Sequence, residues 1–185
     1  MSKTKITACI IGLLLISSPV AHAATFKIDP GRSTLIFKIK QLSIDTVGAF
    51  TRFRGTMELN SDNTQPTDLK ATVDLKSVNT RQSQRDEDLL GQDIFNAAKF
   101  PAAKFVSKKI DGQKISGELT LRGVTKPVSF NYQLGKVENK NVSISARGTI
   151  RPKDFGITFN RALEKGKPLL GDSVEIVVEA VGILQ

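Results

Sequence analysis

The side chains able to do chemistry in this chain are few, and where they sit decides much of the reading. Its 185 residues hold one cysteine, Cys9, one histidine, His22, one tyrosine, Tyr132, and no tryptophan. Cys9 lies in an apolar run from Ile6 to Ile16, which follows Lys3 and Lys5. Ser17, Ser18 and Pro19 come next, then the small-x-small triplet Ala21-His22-Ala23. A positive start, a short apolar stretch and a small-residue cleavage site make a secretory signal. The run is roughly half of the ~20 residues that a spanning helix needs. Residues 1–23 are therefore expected to be a cleaved signal peptide, ending at Ala23, with residues 24–185 forming one domain delivered to the periplasm. Cys9 precedes the cleavage site, so a lipid anchor is not expected.

Cleavage removes both Cys9 and His22. The remainder then has no Ser-His-Asp triad and no cysteine nucleophile. A His- or Cys-ligated zinc, copper or haem site is excluded, as is a disulfide, even in an oxidising compartment. Acid–base or covalent work falls to Asp, Glu, Lys, Ser, Thr or Tyr132, and no pairing among them has a diagnostic spacing. Arg81, Arg85, Asp86 and Asp88 cluster. Arg85 with Asp86 could form an ion pair or bond a ligand head, and the other reading is helix capping and a solvated face. Asp154 reads as a turn cap before Phe155-Gly156. No loop has the ligand spacing of a calcium site. The reading is no catalytic residue, no metal and no cofactor.

The elements that position these groups are strands. Leu35, Phe37 and Ile39 alternate with Ile36, Lys38 and Lys40. The same period of two runs through Phe53–Leu59, Leu69–Leu75, Ile115–Leu121, Val128–Leu134, Val142–Ile150 and Val174–Ala180. Strand side chains point alternately to two faces, so each segment has one apolar and one wetter face. With a poorer strand at Ala103–Ile110, about eight are expected. Asp111-Gly112 signals a two-residue hairpin, and Asn60–Asn63 and Glu138–Asn141 signal turns. Short turns imply antiparallel neighbours, with strands four to seven as a meander. Glycines 55, 117, 148 and 182 favour bends that help a sheet close into a barrel. Ser83–Lys99 reads as one or two short helices with Ser83 as N-cap. Pro152–Asp172 is a long irregular segment of the kind that covers a site.

The formal net charge is +9, falling to +7 once the signal, with two lysines and no acid, is removed. Lys38, Lys40, Arg52, Arg54, Lys70 and Lys76 fall on outer faces, where they confer solubility or draw the protein to an anionic membrane surface. Nucleic acid is disfavoured: the charge is spread over strands and no stacking motif or reading helix occurs.

Several stretches occur in an order that resembles one family. They are Asp29-Pro30 with Ser33 and Phe37; Gly48-Ala49-Phe50 with Phe53-Arg54-Gly55; and Ser77-Val78-Asn79-Thr80 with Arg85-Asp86. Then come Asp93-Ile94-Phe95-Asn96, Phe100-Pro101, Phe105-Val106-Ser107, the run Gly117 to Pro127, and Asp154-Phe155-Gly156-Ile157. The chain resembles the YceI-like family of exported, lipocalin-type polyisoprenoid-binding proteins. The resemblance implies an all-β fold: an eight-stranded antiparallel barrel with a short helix and a long apolar interior. It also implies a ligand, an isoprenoid lipid such as a polyprenyl chain or quinone, or a similar long-chain amphiphile. Many members carry His where this chain has Arg32, Gln41 and Asp88, so head-group contacts made by those imidazoles are not carried over.

An eight-stranded barrel either fills its interior or holds one small ligand. Inward alternation selects Phe37, Ile39, Phe53, Leu75, Leu119, Leu121, Phe130, Tyr132, Ile144, Ala146 and Ile176 as the lining, with Ala71, Gly117, Ala146 and Gly148 leaving room. Phe95, Phe105 and Phe155, together with Phe100 and Phe159, either line the mouth or staple the irregular segments onto the barrel. The expected function is a periplasmic carrier holding the lipid in its barrel, with a homodimer also allowed. An enzyme acting on such a lipid, or a filled barrel serving assembly, is the alternative.

Overall fold

The structure, a computed structural model, describes residues 23–39, 46–157 and 173–185. The signal segment through His22, Lys40, Gln41 and Phe159 lie outside the described residues. The strands are β1 (Ala24–Ile28), β2 (Thr34–Ile39), β3 (Thr46–Phe50), β4 (Phe53–Leu59), β5 (Pro66–Asp74) and β6 (Val78–Asn79). After the helix α1 (Ser83–Leu90) come β7 (Ala102–Asp111), β8 (Lys114–Leu121), β9 (Val124–Leu134), β10 (Asn141–Ile150) and β11 (Val174–Leu184).

All pairings are antiparallel, in the order β1-β4-β5-β7-β8-β9-β10-β11, and a β1–β11 pairing closes the ring. The barrel has eight strands, with α1 the one α-helix among the described residues. β2 continues β1 along β11, pairing Phe37 with Ile176, while β1 pairs Phe26 with Leu184. The break is a 3-10 turn, Pro30–Arg32, whose Asp29 carboxylate accepts from the Gly31 amide. β3 runs beside β2 as β4 runs beside β1, so two bent strands serve both ends of the barrel. β7 to β10 form the expected meander.

Three local readings shift. The hairpin after β7 closes on Asp111↔Lys114, so its two turn residues are Gly112 and Gln113, one later than expected. Gly112 has a φ of 54°, which glycine adopts without steric cost. The N-cap of α1 is Gln82, with no side-chain bond, and Ser83 is already helical. One helix of eight residues forms, followed by turns up to Phe100. Asp154 lies inside the 3-10 turn Pro152–Phe155, where it accepts from Arg151 Nε at 2.9 Å.

The apolar faces meet in two clusters at opposite ends. Phe26, Met57, Leu59, Ile115, Tyr132, Val142, Ile144 and Ala180 form one. Phe37, Leu75, Leu89, Ile94, Leu121, Ile150 and Phe155 belong to the other, on the side of α1. Phe26, Met57 and Leu59 are fully buried, each contributing about 1.5–3 kcal/mol by transfer out of water.

Candidate functional site

Between these clusters lies an interior cavity of about 230 Å³. Every described residue lining it is apolar. Strand alternation aims the wall residues inward, while Leu89, Ile94 and Phe95 reach it from α1 and the turns beyond. Pro152 and Ile157 reach it from the segment after β10. An aromatic file runs along the helix end: Phe37 to Phe50 at 5.5 Å between centroids, then Phe50 to Phe95 at 6.0 Å. Deeper in, Phe105 and Phe130 meet edge to face at 5.4 Å.

Glycines sit beneath three of these rings, those of Phe37, Phe105 and Phe130. A methyl group built at Gly148 would stand 2.6 Å from Cδ1 of Phe130, its partner across β9–β10. At Gly117 it would stand 2.7 Å from Cζ of Phe105, and at Gly48 2.7 Å from Cε1 of Phe37. Each ring therefore occupies the space that a neighbouring side chain would need, a pairing that shields the glycine backbone. Gly117 and Gly148 do not themselves leave room, contrary to expectation. Ala71 and Ala146 do border the cavity.

Of the residues selected from sequence, Phe37, Ile39, Phe53, Leu75, Phe95 and Phe105 line the cavity. So do Leu119, Leu121, Phe130, Ile144, Ala146 and Ile176. Tyr132 and Phe155 do not. Tyr132 points inward but belongs to the cluster at the far end, where its hydroxyl donates to the Gly112 carbonyl at 3.0 Å. Burial raises its pKa above the ordinary 10.0. Phe155 is packed in the other cluster, beneath the 3-10 turn. Phe100 lies over Gly123, with Lys99 Nζ 5.3 Å from its ring centre. The lining also includes Phe50, Leu89 and Ile94, absent from the sequence selection. The helical spacing of Leu89 and Ile94 pointed to a buried face, but not to which cavity. Phe50 and Phe53 both face in because the chain bends at Thr51-Arg52, which breaks the period of two.

The polar candidates are structural. Asp86 Oδ1 accepts from the Thr80 amide and hydroxyl at 2.8 and 2.6 Å. Arg85 donates to the Thr80 hydroxyl and carbonyl, both at 2.8 Å. Both side chains therefore hold the chain entering α1 instead of pairing with each other. Asp88 is exposed. Arg32 bonds Asp29 at 2.8 Å and Asn141 at 2.7 Å, and its guanidinium holds the Asp29 carboxyl below the usual range. Lys38, Arg52 and Lys70 each pair with a carboxylate, while Arg54 and Lys76 are exposed. Arg122, in a left-handed backbone conformation (φ 52°), donates to the carbonyls of Gln92 and Gly156, tying together the two segments that flank the cavity. Among the described residues no cluster of three or more Cys, His, Asp or Glu could hold a metal.

The sequence and the fold are similar to those of known proteins. The chain is 32% identical over 162 residues to a UPF0312 protein of Staphylococcus aureus (strain USA300), covering 84% of this chain and 95% of that protein. The crystal structure of Burkholderia cenocepacia BcnA superposes with a TM-score of 0.73 at 22% identity, covering 83% of this chain and 98% of that one. The Campylobacter jejuni YCEI protein gives 0.65 at 27% identity, covering 79% and 89%. A polyisoprenoid binding domain from Saccharophagus degradans, implicated in plant cell wall breakdown, gives 0.66 at 15% identity, covering 86% and 98%. With residues 26–182 matched by the model of the YceI-like domain, the chain belongs to the YceI-like family.

Proposed function

We propose that the protein is an exported, non-enzymatic carrier that holds the tail of a long-chain amphiphile, preferably an isoprenoid lipid, in its barrel. One observation carries the reading: the wholly apolar cavity of about 230 Å³ among the described residues. A tail entering it gains roughly 0.8 kcal/mol per CH₂ and restores dispersion contacts that the lining otherwise lacks. The Saccharophagus neighbour, described as a polyisoprenoid binding domain, favours the isoprenoid class. Export to the periplasm is supported by the signal-like residues 1–23 and by β1 starting at Ala24. The described lining presents no acid, base or nucleophile to a bound tail, which favours carriage over turnover.

Native mass spectrometry of protein purified from its own host tests this. The expected result is a mass increment released by organic extraction and identified as an isoprenoid lipid. Protein that carries no lipid there, and binds neither farnesol nor a long-chain fatty acid, overturns the reading.

A further inference from the structure

The barrel wall is incomplete on one side. β9 pairs with β8 from Val124↔Leu121 to Asn131↔Lys114, but its pairing with β10 stops at Phe130↔Gly148. Thr149 and Ile150 remain paired with β11. Pro127 supplies a cause. The two-residue hairpin closes on Leu121↔Val124, so hydrogen-bonded pairs alternate from there and Glu118↔Pro127 is a non-bonded pair. The backbone nitrogen of Pro127 therefore faces the β10 side, where it has no N–H to donate.

At this parting lies a cleft of about 550 Å³, with Val128, Ile150 and Phe155 among its apolar residues. Lys108, Lys126 and Arg151 stand around it with Glu118 and Asp154. Lys108 is paired with Glu118 at 3.2 Å, and Arg151 with Asp154 at 2.9 Å. Both acids are thus engaged, and Lys126 has no carboxylate partner among the described residues. The Arg151 pair uses Nε, leaving the Nη groups available to a second acceptor. Ile150 borders both this cleft and the lumen, so the two spaces are one side chain apart.

We infer that the cleft seats the anionic head group, a phosphate or carboxylate, of an amphiphile whose tail lies in the lumen. This rests on the carrier reading above. Lys126 and Arg151 supply the charge-assisted hydrogen bonds, and the parting of β9 from β10 lets the molecule pass from a dry interior to a basic rim.

Calorimetric titration with farnesyl phosphate, farnesol and inorganic phosphate is the test. Farnesyl phosphate should bind at least about fivefold more tightly than farnesol, the factor that one exposed ion pair can supply. The preference should shrink with added salt and in Lys126→Ala and Arg151→Ala, but persist in Lys109→Ala. Equal binding of the two lipids, or a preference that survives both cleft substitutions, overturns the inference while leaving the carrier reading intact. Inorganic phosphate that binds in a Lys126-dependent way, without any preference between the lipids, reassigns the cleft to a free anion and also overturns it. If neither lipid binds, the inference falls together with the isoprenoid preference of the carrier reading.

Discussion

Replacing Ala146 with Phe separates a hollow barrel from a packed one. Ala146 borders the cavity and pairs with Tyr132 and Val178 across its neighbouring strands. The substitution adds one phenyl ring. An engineered apolar cavity of ~150 Å³ accepts a benzene molecule. On that scale the cavity of about 230 Å³ takes roughly nine carbons, and the new ring removes space for about six of them. At roughly 0.8 kcal/mol per CH₂ the tail forfeits about 5 kcal/mol. A farnesol titration should therefore show affinity reduced at least about fiftyfold, even if relaxation recovers half of that energy. The folded protein should hold or gain stability, because the ring fills space instead of displacing neighbours. If the space were already occupied, overpacking would cost about 1–3 kcal/mol, or several degrees in the thermal midpoint. A lowered midpoint with unchanged farnesol affinity would refute the cavity at this position. Lys38→Ala serves as the outer-face control. Its 3.7 Å pair with Glu175 is exposed on both sides and is worth about 0–1 kcal/mol.

Gly148→Ala should destabilise by about 1–3 kcal/mol, because its methyl group meets Phe130 and the Ser129 carbonyl, and Phe130→Leu should recover part of that loss in denaturant titrations. Asp68 is held below its ordinary pKa of 3.8, chiefly by the hydrogen bond from Lys70 and also by that from Ser107. Its contribution is present above 3.8 and is lost as pH falls through the lower folded value, so the stability curves of wild type and Asp68→Asn should converge in acid. Tyr132, the sole tyrosine, should form phenolate only above 10.0 in the folded state, and stability should fall as pH rises from there through the folded value; ionisation at 10.0 in both folded and denatured protein would contradict its burial. N-terminal sequencing of exported protein should begin at Ala24, and retention of Met1 would refute cleavage.

The strands were legible because a half-buried strand must alternate, and a one-residue slip would turn every apolar side chain out to water. That constraint made Phe37, Leu119, Phe130 and Ile144 readable as inward. It could not tell a side chain beside empty space from one inside a packed end. Tyr132 and Ala146 point the same way from adjacent strands, yet only Ala146 borders the cavity. The two are direct cross-strand partners at the same end, so the difference lies in which of them the surrounding side chains cover, and those neighbours come from distant strands. Gly148 illustrates the same gap. Its size was visible in sequence, but the ring covering it belongs to β9. The bends at Pro30–Arg32 and Thr51-Arg52 interrupt the period of two and hid β1, β3 and Phe50. The lateral cleft was invisible because it depends on where β9 and β10 cease to pair.

An interior wall whose described residues carry no polar side chain also limits what this protein can distinguish. Hydrogen-bonding sites reject an analogue that leaves them unpaired, whereas an apolar wall discriminates by only about 1–3 kcal/mol per misfitting methylene. Nothing on the described lining can register the position of a double bond along a tail or hold that tail at one depth. Tails of different origin would then share the barrel in proportion to their local abundance and solubility. The cargo found inside would thus report on the lipids surrounding the protein as much as on the protein's own preference.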